Sequence, residues 1–362
     1  MNESTLMQLD VWLKKEELLF YTDYNLKNNS YSKTGSIVKR FILPKDNVQL
    51  ENIILFSKEI GLDIKVIGET TNIIFNDSVS YGVFVSTKLV DGIEFKEQSV
   101  VVESGRSLPD FVRDVSMRGF GGFEGLEGIP GSIGGGIVMN AGAYGYDISD
   151  NLISVTYLDG DGKRITQNKK DLCFEKRNSI FKHSNLIILS AEFSLSHASL
   201  EEVKKKIEKF HIARHVYQEW AMPNLGSIFT APRSLYDHFE LKSFKNKFLY
   251  KLTQKFFYNK IMRFYNRKNP SNKRLNDIIK KEKGLGLLKV NCSHKNINTF
   301  CNQNNSTKEI IEYLYVIYKS ISKDNVFLEN ELVNQSIFEV VSKNEYDDIT
   351  FMYNEMLRNE KN

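Results

Sequence analysis

The sequence predicts an α+β protein of two or three domains, organised around one glycine-dense region. Three observations carry this reading. Helix-like and strand-like segments follow one another from residue 7 to residue 220. A chain of 362 residues has room for two or three domains and an ample core. Finally, the stretch 121–145, GGFEGLEGIPGSIGGGIVMNAGAYG, holds ten of the chain's 22 glycines. It also carries Leu126, Ile129, Ile133, Val138 and Met139, so it is not a solvated linker. So many glycines are expected to prevent a stable helix or a regular strand. The pattern suits backbone laid close against a ligand, with N–H groups turned to a pyrophosphate or a flat ring. A tight structural turn is the competing reading, and the length of the stretch weighs against it.

In chain order, residues 7–20 read as a short amphipathic helix, and FILP (41–44) precedes a helix over 47–61. DIKVIG (63–68) reads as a buried strand, ETTN (69–72) as a polar turn, and IIF (73–75) as a return to strand. In that turn Gly68 bends the backbone, while Thr70, Thr71 and Asn72 offer hydroxyl and amide donors. YGVFVSTKL and SVVVESG continue as strands, and 107–122 reads as a helix capped by Ser107 and ended by Gly119. Strands over 152–166 with a DGDG turn, a buried strand over 185–195 and a mixed-charge helix over 199–220 follow, before the loop PNLGSIF (223–229).

Apolar residues at 41% and charged residues at 26% are those of a globular protein. The N-terminus has no basic region before an apolar run, and no apolar run nears the ~20 residues of a membrane span. A cytoplasmic protein is expected. Cys173, Cys292 and Cys301 make neither a disulfide framework nor a C-x-x-C pair, and the six His form no metal signature, so no metal site is expected. The net charge of +4 is unevenly spread: residues 233–283 hold 15 Lys/Arg and 4 Asp/Glu, a surplus of 15 − 4 = 11, which leaves 4 − 11 = −7 elsewhere.

GLEGIPGSIGGGIVMNAGAYG resembles the signature of the UDP-N-acetylenolpyruvoylglucosamine reductase family. Further motifs arrive in that family's order. IGETTN resembles L-G-x-G-S-N, FEKRNSIF resembles F-x-Y-R-x-S-x-F, and PNLGSIF resembles P-x-A-G-S-x-F. SHKNINTFCN is similar to S-x-K-H-A-N-F-x-x-N, and FLENELV to L-x-x-E-V. The resemblance implies a split, two-part FAD-binding domain of the vanillyl-alcohol-oxidase/PCMH-like type, joined to a smaller α/β substrate-binding domain. The expected boundaries are an N-terminal helix at 1–20, FAD subdomains at 21–90 and 91–218, a substrate domain at 219–335 and a C-terminal extension at 336–362. The cofactors implied are FAD, held without a covalent bond, and NADPH.

The resemblance also implies roles. Arg177 stabilises the substrate carboxylate and developing enolate, Ser227 donates the proton, and Glu331 assists the enolic intermediate or relays that proton. Gly68, Glu69, Thr70, Thr71 and Asn72 in one loop are expected to bind the cofactor. So are Ile129, Pro130, Gly131, Ser132, Gly134, Gly135, Asn140, Gly142, Ala143 and Tyr144 in the other. Lys176, Gln218 and Asn298 are expected on the nucleotide-sugar substrate.

Departures cluster on the substrate side. Thr70 replaces a Gly of the flavin loop, Lys176 an aromatic, Glu219 a Pro and Asn296 a His, while Thr230 and Ala231 replace a Lys-Asn pair. The expected function is NADPH-dependent reduction of an enolpyruvyl nucleotide sugar for peptidoglycan. A paralogue acting on another sugar in surface-polysaccharide synthesis stays open, as does a non-catalytic flavin- or nucleotide-binding protein.

Residues 233 to about 280 are an insertion relative to the family. Ten Tyr/Phe lie among the basic residues of 235–269, and Phe244, Phe248, Leu252, Phe256 and Tyr258 approximate a helical stripe. An extra helix packed on the third domain is the first reading, a membrane-surface helix the second, and single-stranded nucleic-acid binding the last. Nothing in the sequence speaks to oligomeric state.

Overall fold

The computed structural model describes residues 2–257 and 272–358. Tyr258 and the neighbouring part of the insertion lie outside the described residues.

Helix α1 (Glu3–Lys15) starts where the Asn2 side chain accepts the Thr5 N–H, four residues earlier than the apolar pattern suggested. It buries Leu6, Leu9 and Leu13 along one face. Glu17, in the left-handed region at φ 52°, turns the chain into β1 (Leu19–Asn25). Then come β2 (Ile37–Leu43), α2 (Asn47–Glu59, capped by Asp46), β3 (Ile64–Ile67), β4 (Ile73–Phe75) and β5 (Val79–Ser86).

β5 is the axis of the first sheet. β2 runs parallel to it on one side (Val38 beside Tyr81) and β3 parallel on the other (Ile64 beside Val83). It is buried on both faces. Val83 and Val85 meet α1 and α2, while Tyr81 and Phe84 pack with Phe75, Val38 and Val333.

The second sheet contains β6 (Ile93–Phe95) and β7 (Ser99–Glu103), followed by α3 (Leu108–Met117) and α4 (Ile133–Val138), then β8 (Leu152–Leu158), β9 (Arg164–Asn168) and β10 (Ile187–Ser194). Its strands are antiparallel in the order β9-β8-β10-β7-β6. Phe111, Val112 and Val115 of α3 and Ile133 and Ile137 of α4 cover one face. Leu158 and Leu189, from β8 and β10, enter the core beneath α1 and α2, so one apolar cluster spans both sheets.

α4 corrects the expectation that the glycine-dense stretch would hold no helix. Six residues, IGGGIV, form one because Ser132 caps it and Ile133 and Ile137 are buried. Burial offsets the poor helix propensity of three glycines, at about 1 kcal/mol each.

α5 (Leu200–Tyr217) leads to the third unit. This holds α6 (Phe244–Phe257), α7 (Lys273–Lys283), α8 (Thr307–Ser320), β11 (Glu331–Val333) and α9 (Lys343–Leu357), while β12 (Ile337–Val340), between the last two in the chain, returns to the first sheet. Ser306 and Glu309 start α8 with a reciprocal capping box. β11 runs parallel to β4, with Glu331 beside Ile73, and the two form a two-stranded sheet separate from the first one.

The segment read as a C-terminal extension is woven into the fold. β12 pairs antiparallel with the first half of β5. α9 buries Ile349, Tyr353 and Met356 in the core that α8 also lines, and the Tyr353 hydroxyl donates to the Asn330 carbonyl and accepts the Leu332 N–H.

Candidate active site

The turn after β3 and the turn before α4 face one another across a cleft of about 1690 Å³. Their approach requires glycine. A Cβ on Gly68 would stand 2.6 Å from Ser132 Oγ, and one on Gly131, at φ 135°, would stand 3.0 Å from Thr71 Oγ1. Thr71 Oγ1 donates to the Pro130 carbonyl (3.1 Å), closing the contact.

The first N–H groups of α4 are consumed inside the fold: Ile133 donates to the Arg106 carbonyl, Gly134 to the Ser104 carbonyl and Gly135 to Ser132 Oγ. The two turns are different. Among the described residues, the N–H groups of Glu69, Thr70, Thr71, Gly131 and Ser132 donate to no protein acceptor, and all five residues line the cleft. The anion-binding capacity lies in paired turns rather than in a helix end.

Thr70 adopts φ 60°, a left-handed conformation costly for a β-branched residue, of order 1–3 kcal/mol. Its Oγ1 accepts the Tyr31 N–H (3.0 Å), which helps to hold it there.

A second cavity of about 950 Å³ adjoins the cleft, and Arg177, Ser227 and Glu329 line both. Arg177 is itself at φ 59°. Its Nη1 donates to the Asn140 carbonyl (3.2 Å), its Nη2 to the Gly142 carbonyl (2.8 Å), and its Nε to Glu329 Oε2 (3.2 Å). A guanidinium has five N–H donors, so one remains on each Nη. Burial pushes the Glu329 carboxyl above its ordinary range, while the Arg177 charge pulls it back. Ser227 is exposed, on a turn that Gly226 makes at φ 72°. Glu331 lines the main cleft, its N–H bonded to the Asn72 carbonyl (2.9 Å). Lys65, half-buried in the same cleft, has its pKa lowered by burial while the Glu331 charge raises it.

Residues 38–168 match the FAD binding domain family. The chain is 32% identical over 210 residues to UDP-N-acetylenolpyruvoylglucosamine reductase 2 of Bacillus cereus, an alignment covering 58% of this chain and 69% of that protein. It is 33% identical over 216 residues to the Enterococcus faecalis reductase, covering 60% of this chain and 72% of that one. The chain belongs to the UDP-N-acetylenolpyruvoylglucosamine reductase family. The fold agrees: the Thermus caldophilus reductase superposes with a TM-score of 0.61 at 19% identity, covering 87% of this chain and 98% of that one.

FAD fits the cradle seen here. The unspent N–H groups of the two facing turns match its pyrophosphate, and the glycines at 68 and 131 leave room for that approach. Ile129, Pro130, Gly134, Gly135, Gly142 and Ala143 line the same cleft.

Other residues singled out in the sequence are engaged differently. Asn72 lines the cleft, donates one amide N–H to the Glu329 carbonyl (2.7 Å) and accepts from Asn330 (3.0 Å), so it joins the turn after β3 to the chain just before β11. Asn140 spends its amide N–H on the Glu175 carbonyl (2.9 Å). Tyr144 stacks on Phe210 (4.7 Å) beneath the Arg214 guanidinium (5.1 Å), facing α5. Asn298 spends both amide groups on Phe229, accepting from its N–H (2.9 Å) and donating to its carbonyl (2.7 Å). Lys176 donates to the Ala231 carbonyl (3.2 Å) and lines the second cavity, while Gln218 lines the main cleft and accepts from Lys295 through its carbonyl (2.9 Å).

Glu329, Lys65 and Asn330 were missed in the sequence. FLENELV offers two carboxylates at i and i+2, and matching the family pattern selected Glu331 alone.

Proposed function

We propose that the chain reduces UDP-N-acetylglucosamine enolpyruvate to UDP-N-acetylmuramate, with FAD and NADPH, in cytoplasmic peptidoglycan precursor synthesis. The observation that carries this reading is the meeting of Arg177, Ser227 and Glu329 where the two cavities adjoin. The first cavity accepts the flavin against its two glycine-bearing turns, and the second accepts the nucleotide sugar. Bound FAD supplies hydride transfer, from NADPH to the terminal carbon of the enolpyruvyl ether.

The chain's own groups do the rest. The two N–H donors left on Arg177 grip the substrate carboxylate as negative charge grows there. Its other three are held by Asn140, Gly142 and Glu329, so the fork is oriented before substrate arrives. Ser227 Oγ gives the proton to the α-carbon. Asn298 positions the Ser227 loop through Phe229, and Asn330 adds a bond to the Ser227 carbonyl (3.5 Å). Glu331 assists the enolic intermediate from the flavin side, where Lys65 lines the same cleft.

The purified protein is expected to be yellow, to bleach with NADPH and to recover its colour with the enolpyruvyl substrate. Bleaching without recovery sinks the assigned sugar, and a colourless protein sinks the flavin reading.

A specific observation favours peripheral contact with an anionic lipid surface as well. α6 anchors itself with Tyr250 and Thr253, while Phe244, Phe248, Leu252 and Phe256 stay exposed with Lys245 and Lys255 beside them. The four described members of the stripe are therefore turned outward, as an interfacial helix requires. Among the described residues no helix is long and apolar enough to cross a membrane. Binding to phosphatidylserine vesicles is expected to weaken with salt, each basic residue near the surface contributing about 1 kcal/mol. Phe248→Glu with Phe256→Glu is expected to abolish it; binding that ignores lipid charge or this double substitution removes the proposal.

A further inference from the structure

We infer that the C-terminal helix α9 positions Glu331 for the reduction, through the Tyr353 hydroxyl. This rests on the part given to Glu331 above.

β11 is three residues long, and among the described residues it has a strand partner on one side only, β4. On that side the Glu331 N–H donates to the Asn72 carbonyl (2.9 Å). Backbone groups of an extended chain alternate between its two edges, so the Asn330 carbonyl and the Leu332 N–H both point to the other edge. These two groups straddle Glu331. Both residues are buried, and a buried backbone group without a partner is costly. The Tyr353 hydroxyl meets both: it accepts the Leu332 N–H (3.0 Å) and donates to the Asn330 carbonyl (3.2 Å). One oxygen thus stands in for a neighbouring strand on either side of Glu331.

That oxygen is held from outside β11. Tyr353 is buried on the face of α9 that also carries Ile349 and Met356, at helical spacing. Lys308 of α8 meets Asp348 of α9 (2.7 Å), and Lys319 meets Glu355 (3.4 Å), so α9 is tied to α8 on both sides of Tyr353. Asn330 carries the hold further, because its side-chain amide donates to Asn72 Oδ1 (3.0 Å) and to the Ser227 carbonyl (3.5 Å). Tyr353 therefore fixes the stretch of chain from which Glu331, the flavin turn and the Ser227 loop take their spacing. It acts through Glu331 and is a positioning residue.

The test is stopped-flow absorbance on the full-length FAD-loaded Tyr353→Phe protein, which keeps the ring and loses the oxygen. Reduction by NADPH is expected to be nearly unchanged. Reoxidation by the enolpyruvyl substrate is expected to slow about 10- to 100-fold, because about 1 Å of misplacement can cost about 100-fold. In a Glu331→Gln background the same substitution is expected to slow reoxidation no further, since residues that act through one group are not additive. Ile349→Val trims the buried face of α9 and leaves the hydroxyl; it is expected to lower the melting temperature with both half-reactions unchanged. Hydrogen exchange at the Leu332 amide, read without substrate, is expected to quicken far more in Tyr353→Phe than in Ile349→Val. Wild-type reoxidation in Tyr353→Phe, equal slowing of both half-reactions, the full loss repeated in the Glu331→Gln background, or unchanged exchange at Leu332 would overturn the inference. Failure of the reductase reading is a separate result: wild type bleaches with NADPH and is not reoxidised, which removes the positioning role while the exchange difference at Leu332 persists.

Discussion

Ser227→Ala is expected to leave reduction of the flavin by NADPH nearly unchanged and to slow its reoxidation by the enolpyruvyl substrate about 100- to 10,000-fold, the usual worth of a positioned proton donor. The size of the effect follows from how the hydroxyl is held. Gly226 at φ 72° makes the turn, Ile228 donates to the Asn298 carbonyl, and the Asn298 side chain clamps Phe229 from both sides. With the loop pinned by these neighbours, removing one oxygen takes away the proton and little else. Stopped-flow absorbance separates the two half-reactions. Equal slowing of both would make Ser227 a structural residue.

Arg177→Lys is the second large effect. An ammonium keeps the charge but cannot make three bonds in the guanidinium plane and still present two donors to a carboxylate. The contacts to Asn140, Gly142 and Glu329 would be lost in part, and Glu329, largely buried, would lose its partner at 3.2 Å. The oxidative half-reaction is expected to fall about 100- to 1,000-fold, as when one preorganised donor to a developing oxyanion is removed. Lysine at φ 59° inherits the left-handed backbone without the contacts that hold it, so thermal stability is expected to fall too. A variant with wild-type reoxidation kinetics would remove Arg177 from the chemistry. Flavin absorbance in single turnover and a melting curve read the two effects independently.

Much of this was legible in the chain, and for local reasons. α2 and α5 could be read from periodicity and the turn between β8 and β9 from its DGDG sequence, because those signals act over a few residues. The two glycine-bearing turns were legible because a missing Cβ is a property of the residue itself. Even the strain at Thr70 had a trace, since threonine stands there where the family keeps glycine.

What the sequence by itself determined is the inventory: a family, its cofactor turns, a basic aromatic insertion, and an Arg, a Ser and one carboxylate, Glu331. Tertiary structure alone decided how these are spent. β11 pairs in parallel with β4, and on that line Glu329 turns to Arg177 while Glu331 faces the cleft with Lys65. Two residues apart, the pair would share one face of a regular strand, but β11 begins only at Glu331, and the chain before it carries Glu329 to Arg177. Asn72 and Asn298 have the composition of ligand-binding amides, yet both hold backbone in place, because a buried carbonyl must find a donor wherever the fold brings one. α6 has an apolar stripe in its sequence, but the face it buries is the one carrying Tyr250 and Thr253. A helical pattern states which residues lie together, and packing against the rest of the chain decides which way they point.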